Sequence, residues 1–354
     1  VDVRARQTRR TLSDGTRDDD SRTRIYRMAG EWQGREMPLQ VTFGRQFQPN
    51  AAGISIFDGV AATWRLERWS FGVLSGTQPD PVDFGVSGEI QEHGLYARYR
   101  TAGENHRRLS LTTGLIGSYE NSEINREYAY VQALLGGRRT TVYLTQEVDF
   151  NRGWKKAAGG GALDSTSTFL NLRYRATDRL DFQAGIDNRK NIRLYRDRTT
   201  PETEFDDAYR TGVWAGAGYR FLDHYRVGFR YRTSSGGTRG TSDNLTGRFG
   251  LYGFTGRNAG GNLRLTHYSS DLVEGDLLSL SGGLDLTSRL RVELSGGVRD
   301  ETDVFDNTSR AQTWYGLDLD YRLGRRWYLI GSWQTESGDL ERIDQVFPSL
   351  SYRF

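Results

Sequence analysis

Four histidines, His93, His106, His224 and His267, are the side chains of this 354-residue chain best suited to moving a proton or ligating a metal at neutral pH. They are scattered, and no HExxH or comparable spacing joins them. Asp318 and Asp320 stand two residues apart and could act as acid and base or hold a cation. Countering nearby arginines is the plainer role for them. Without a single Cys the chain offers no disulfide, no thiolate metal site and no covalent haem attachment. Gly216-Ala217-Gly218 lies inside an alternating segment and does not open a helix, so it is no dinucleotide loop. The expectation is a protein that is not an enzyme and carries no metal or cofactor.

Charge is the remaining chemistry. All of the 48 basic residues are Arg except Lys155, Lys156 and Lys190, yet the net charge is only +3, which argues against nucleic acid as a partner. GC-rich coding and an arginine-lined water channel explain that bias equally well. Acidic runs at Asp18-Asp19-Asp20 and at Glu204, Asp206 and Asp207 read as solvated loops, with cation bridges to lipopolysaccharide as the sharper alternative.

The elements that must carry these residues are strands. Mean hydropathy is −0.67 and only 36% of residues are hydrophobic, but Gly numbers 43, Tyr 19 and Pro only 6. No run approaches the roughly 18 apolar residues of a membrane-spanning helix, whereas a barrel strand crosses in about 9 to 11 residues, half of them apolar. Alternation is clearest at 225–234, where Tyr225, Val227, Phe229 and Tyr231 oppose Arg226, Gly228, Arg230 and Arg232. It recurs at 310–322 and 290–299. One such strand would suit a soluble sandwich equally well. About a dozen long ones, each with charges confined to one face, call for a face that stays wet.

The pattern predicts an all-β fold, a closed antiparallel transmembrane β-barrel of about twenty strands, with 18 to 22 allowed by the turn counting. The strands fall at 1–11, 22–33, 37–47, 57–66, 69–76, 94–102, 107–118, 123–135, 139–150, 165–177, 179–191, 207–221, 225–235, 244–256, 260–270, 276–287, 290–301, 309–322, 326–337 and 344–354. Tight connectors such as Thr177-Asp178-Arg179, Leu222-Asp223-His224 and Thr287-Ser288-Arg289 alternate with longer ones at 151–163, 196–206, 235–243 and 301–308. Short turns facing the periplasm and long loops facing out place the C-terminus in the periplasm. In this topology only His93 and His267 approach the outer rim, each without a recognisable catalytic partner. The register makes Arg173, Arg175, Arg226, Arg230, Arg232, Asp285, Arg291, Glu293, Arg310, Asp318, Asp320 and Arg322 candidates to line the lumen, where mixed signs would set up a transverse field. The stretch 77–93 is the main candidate for a constriction, with 48–56 as a helper.

The last strand carries a resemblance. Val346, Pro348, Leu350, Tyr352 and Phe354 alternate with Phe347, Ser349, Ser351 and Arg353, and the chain stops on an aromatic with another two residues before it. This resembles the C-terminal signal of bacterial outer-membrane β-barrel proteins of porin-like kind, which implies Tyr352 and Phe354 as the membrane-assembly signal and insertion by the barrel-assembly machinery. Aromatics near the same rim (Trp64, Trp69, Phe221, Tyr225, Trp327) fit an interfacial girdle. Trp214, Trp314 and Tyr328, facing inward, either fill space or form a sugar slide.

The chain reads as one barrel domain over 1–354. It begins at Val1 already in alternation, which predicts a removed secretory leader or a barrel that ends a longer precursor. Such a barrel in the bacterial outer membrane, among lipid and lipopolysaccharide, would serve as a channel for passive or weakly selective passage of small polar or charged solutes. The alternative is a scaffold or sleeve holding a periplasmic, lipoprotein or cytochrome partner, in the lumen or periplasm, within a surface, export or electron-transfer complex.

Overall fold

The computed structural model describes residues 1–11, 17–34, 36–54, 56–101, 107–158, 161–200, 205–206, 208–237, 240–254, 258–339 and 342–352, with the side chains of 5–22 left aside. His106, Glu204, Asp207 and Phe354 fall outside these residues.

Twenty strands follow in order: β1 (Asp2–Thr11), β2 (Arg17–Gln33), β3 (Leu39–Gln46), β4 (Phe57–Arg65), β5 (Trp69–Thr77), β6 (Ile90–Arg100), β7 (Arg108–Glu120), β8 (Glu123–Gly136), β9 (Thr140–Phe150), β10 (Leu163–Arg175), β11 (Leu180–Arg189), β12 (Arg210–Phe221), β13 (Tyr225–Ser235), β14 (Ser242–Leu251), β15 (Gly260–Ser270), β16 (Val273–Asp285), β17 (Leu290–Asp303), β18 (Ser309–Arg322), β19 (Trp327–Gly338) and β20 (Arg342–Tyr352). A one-turn helix α1 (Trp154–Ala157) and a 3₁₀ turn at Tyr195–Asp197 sit in connectors. Every strand pairs antiparallel with its sequence neighbours. The sheet returns on itself where Arg9, Arg10 and Thr11 pair with Asp344, Ile343 and Arg342. Closure removes the free edge that an open sheet of this size would present.

The four longest connectors, 47–56, 78–89, 151–162 and 190–209, lie at one rim. The opposite rim carries turns such as 66–68, 137–139, 176–179, 222–224 and 286–289. Local chemistry sets these turns. The Thr177 hydroxyl accepts from the backbone N–H of Arg179 and Leu180 at 3.2 and 3.0 Å, and Thr287 does the same for Arg289 and Leu290 at 3.1 and 3.0 Å. At the long-loop rim, Asn121 and Ser122 take φ of 51° and 64° and join β7 to β8 in a two-residue hairpin of the kind that suits strand twist.

The strand expectations correspond element for element, with shifts at the ends. β6 begins at Ile90 rather than 94, and β14 stops at Leu251 rather than 256. Asp18-Asp19-Asp20 is not a loop but lies within β2. The register there sets Asp20, Asp19 and Asp18 opposite Thr8, Arg9 and Arg10.

The two faces differ as alternation requires. Phe229, Leu265, Leu280, Leu294, Tyr315 and Val346 stand exposed on the outer face, Leu280 at 62%. On the inner face Thr246 and Thr266 are buried, within hydrogen-bond reach of each other at 3.2 Å. A continuous apolar belt of this extent needs an apolar surrounding.

Candidate functional site

The inner face is polar along most of the wall, but β6, β7 and β8 put large apolar groups there as well. Tyr96, Ile116, Tyr128 and Tyr130 are buried, while their strand neighbours Leu95, Leu115 and Val131 are exposed outside. What buries them is the connector 47–56, which folds into the lumen and seats Ala51, Ala52 and Ile54 in one cluster with Phe57, Ala61 and Leu74. Three phenols fix its backbone and tip. Tyr128 donates to the Ala52 carbonyl at 2.6 Å, Tyr130 to the Asn50 carbonyl, and Asn50 Nδ2 donates to the Tyr96 hydroxyl at 3.3 Å. Arg98 reaches Asn50 Oδ1 at 2.8 Å.

The phenols are placed by glycine. Tyr96 and Tyr130 stand opposite Gly72 and Gly114 in register, and a side chain at either glycine would run into the ring. Trp214 over Gly185 and Trp314 over Gly297 repeat the arrangement. Each ring lies over its glycine, and Phe169 stands 5.5 Å from Trp214.

Behind the loop seat lies a charged network. Arg126 binds Asp149 at 2.8 Å and Glu147 at 2.8 Å, and its guanidinium sits 3.9 Å over the Tyr128 ring. Thr166 donates to Asp149 at 2.7 Å, and Lys155 of α1 approaches it at 3.9 Å. Burial holds the Lys155 ammonium below its ordinary pKa, against the pull of Asp149. Trp154 donates to the Ile124 carbonyl at 2.8 Å, and Asn125 Oδ1 accepts from the Tyr195 N–H at 2.9 Å, so two connectors of the long-loop rim are tied to the same corner.

Of the stretch 77–93, expected as the main constriction, Thr77 and residues 90–93 belong to strands and the connector 78–89 lies against β2 and β3. Phe84 packs 5.2 Å from Tyr26, Arg24 donates to the Val82 carbonyl at 3.1 Å, and Arg45, paired with Asp58 at 2.6 Å, donates to the carbonyls of Phe84 and Gly85. The helper loop is therefore the in-folded one. It is rich in small residues that fit under the tyrosines, and 78–89 is held by its backbone carbonyls.

The arginines and carboxylates singled out in the sequence all lie on the face opposite the exposed apolar residues of their strands. Arg173 and Arg226 converge on Asp181 at 3.5 and 2.7 Å, and Arg230 donates to Gln183 at 2.7 Å. With Arg248 they line a groove of about 270 Å³. Arg175 stands opposite Asp181 in register, Arg232 lies 5.9 Å from the Trp214 ring, and Arg248 faces Arg264 directly. Asp285 pairs with Arg291 at 3.2 Å. Glu293 and Asp318 face each other, Asp320 faces Arg291, and Arg310 faces Glu301. Arg322 donates to the Ser288 carbonyl at 2.9 Å.

Two histidines have side-chain partners that sequence did not reveal. His93 Nδ1 lies 3.0 Å from Ser75 Oγ, and His267 Nδ1 lies 3.1 Å from Asp276. Both are cross-strand neighbours, invisible without the register. Both pairs lie on the exposed outer face near the long-loop rim, away from the lumen. Among the described residues no three of His, Cys, Asp and Glu gather as a metal site.

The chain matches no protein-family model and no curated protein sequence. Among solved structures, OccAB4 of Acinetobacter baumannii superposes with a TM-score of 0.51 at 8% identity, covering 99% of this chain and 95% of that one. The fold is that of an outer-membrane β-barrel. A loop-deleted OmpT, an outer membrane protein of Vibrio cholerae, also aligns, with TM-score 0.43 and 11% identity over 81% of this chain and 97% of that one. The girdle suits such a barrel: Trp69 lies 5.0 Å from Tyr99, Tyr225 5.2 Å from Phe221, and Trp327 4.7 Å from Tyr352. Tyr352 also accepts from Arg326 at 3.1 Å, which anchors the described end of β20.

Proposed function

We propose that the barrel resides in the bacterial outer membrane, with its short-turn rim and C-terminus toward the periplasm, and acts as a porin-like channel for small polar or charged solutes. The reading rests on one observation above others. The connector 47–56 covers the inner face of β6 to β8, while on the facing wall Arg226, Arg230 and Arg248 line an open groove. A lumen lined with hydrated charges of both signs passes ions and small polar molecules and weights them by charge. No residue is assigned a catalytic role. Lipid and lipopolysaccharide would surround the girdled outer face, and the barrel-assembly machinery would insert the chain. Twenty strands make a wall too wide for its own side chains to fill, which favours a conducting path.

Liposome swelling tests this. Vesicles carrying the refolded barrel should swell in small sugars and amino acids at rates that fall with solute size. Vesicles that stay impermeable until a co-purifying protein is stripped off would contradict the channel and favour a sleeve around a protein partner.

A further inference from the structure

Below the in-folded loop, toward the short-turn rim, the wall from β2 to β6 encloses a cavity of about 610 Å³, within the range of small-molecule sites. Its lining includes five arginines, Arg27, Arg65, Arg68, Arg98 and Arg100, against two glutamates, Glu31 and Glu67. Glu31 is engaged by the Gln40 amide. Arg98 is oriented, held by Asn50 Oδ1 of the loop at 2.8 Å and by Ser110 Oγ at 3.1 Å. Among the described residues the other four guanidinium groups make no hydrogen bond or ion pair. Elsewhere on the inner wall Arg226 is paired with Asp181 and Arg291 with Asp285, while Arg175, Arg248 and Arg310 stand apart from one another rather than gathered in one cavity.

Like charges gathered in one concave, partly roofed space repel each other and raise the local concentration of anions. Guanidinium also suits a specific class of ligand, because its planar fork matches carboxylate and phosphate oxygens. We propose that this cavity is a binding site for a small polyanion bearing carboxylate or phosphate groups, held between the Arg98–Asn50 roof and the guanidinium groups of Arg27, Arg65 and Arg100. The site deepens the channel reading and rests on it only for the route by which the anion arrives. Binding itself is measured without conduction.

The test is calorimetric titration of the detergent-folded barrel at low ionic strength with citrate, with pyrophosphate and with sucrose. Citrate or pyrophosphate should bind and sucrose should not, and which anion binds tighter decides between carboxylate and phosphate chemistry. In the double variant Arg65→Gln/Arg100→Gln the affinity should fall by at least about tenfold, the scale of one charge-assisted contact. Arg226→Gln/Arg230→Gln on the facing wall should stay within about twofold, because that pair lies outside the cavity. If the first double variant does not fold, Arg27→Gln and Arg100→Gln, both at exposed side chains, carry the same test singly. Absence of anion binding to the unaltered barrel, or equal losses in both double variants, would overturn the site. A barrel that conducts yet binds neither anion refutes the site alone. One that binds through Arg65 and Arg100 but never conducts refutes the channel alone.

Discussion

The wall from β4 to β9 and the wall from β12 to β18 present the same apolar, girdled outer face, and they differ inside. The first is packed: Tyr96, Tyr128 and Tyr130 are buried under 47–56, and Arg126 and Asp149 are sealed behind them. The second is open, with Arg226, Arg230, Asp318 and Arg322 left in contact with space. Outer-face alternation alone is enough to make a barrel. What the inner face carries decides whether that stretch of wall holds a loop or faces water.

The comparison can be broken most forcefully at Asp149. Asp149→Ala leaves the buried Arg126 with Glu147 as its remaining carboxylate and takes the nearest carboxylate from Lys155, and should cost about 3 kcal/mol, the lower end of the range for breaking a buried ion pair, read as a lower urea midpoint for the folded barrel in detergent. Gly114→Val comes next. A side chain there meets the Tyr130 ring and the Leu95 carbonyl, so overpacking of about 1 to 3 kcal/mol should appear together with a displaced loop and a noisier channel. Tyr130→Phe removes only the hydroxyl that holds the Asn50 carbonyl. A loss of about 1 kcal/mol is expected, with flicker in single-channel records as the loop detaches.

On the open wall the balance should reverse. Arg230→Gln/Arg248→Gln should leave the unfolding midpoint within about 0.5 kcal/mol of the parent, since no buried network depends on it. Reversal potentials in a salt gradient should nevertheless move toward cation preference. The smallest effect concerns the loop 78–89. The N–H groups of Asp83 and Val82 bond Asp80 and hold its carboxyl below the usual range. Its contribution to loop order is thus fully present above about pH 4, the ordinary aspartate value, and is lost as pH falls through the depressed one. Amide exchange at Val82 and Asp83 should stay slow at pH 5 and speed up near pH 2. Equal rates at both, after correction for intrinsic exchange, would show that the carboxylate does not order the turn.

Most of the barrel was legible in the sequence because alternation is a local signal. Strand β13 declares its two faces in ten residues, and the Thr-x-Arg turns bracket their strands without help from the rest of the chain. The in-folded loop was not legible in the same way, since nothing in Asn50 to Ser55 says which way a connector bends. The signal lay in its receptor. Tyr128 and Tyr130 alternate with Ala129 and Val131, so β8 is apolar on both faces, and a strand apolar on its lumen side must be covered by something. The partners Ser75–His93 and His267–Asp276 were hidden for a different reason: a cross-strand contact depends on register, which only the closed ladder supplies. The arginine cavity was missed because Arg27, Arg65 and Arg98 sit on three strands whose lumen residues look ordinary one strand at a time.

The central claim, that 47–56 narrows an otherwise water-filled lumen, is tested most directly by single-channel conductance of the barrel beside a variant in which residues 48–55 are replaced by a short Gly-Ser turn. The account predicts steady conductance in the parent and an increase of at least about twofold in the variant, because current follows the open cross-section. Equal conductance in the two would place the constriction elsewhere. Silence in both would mean that the lumen is closed to solutes and that the channel reading is wrong.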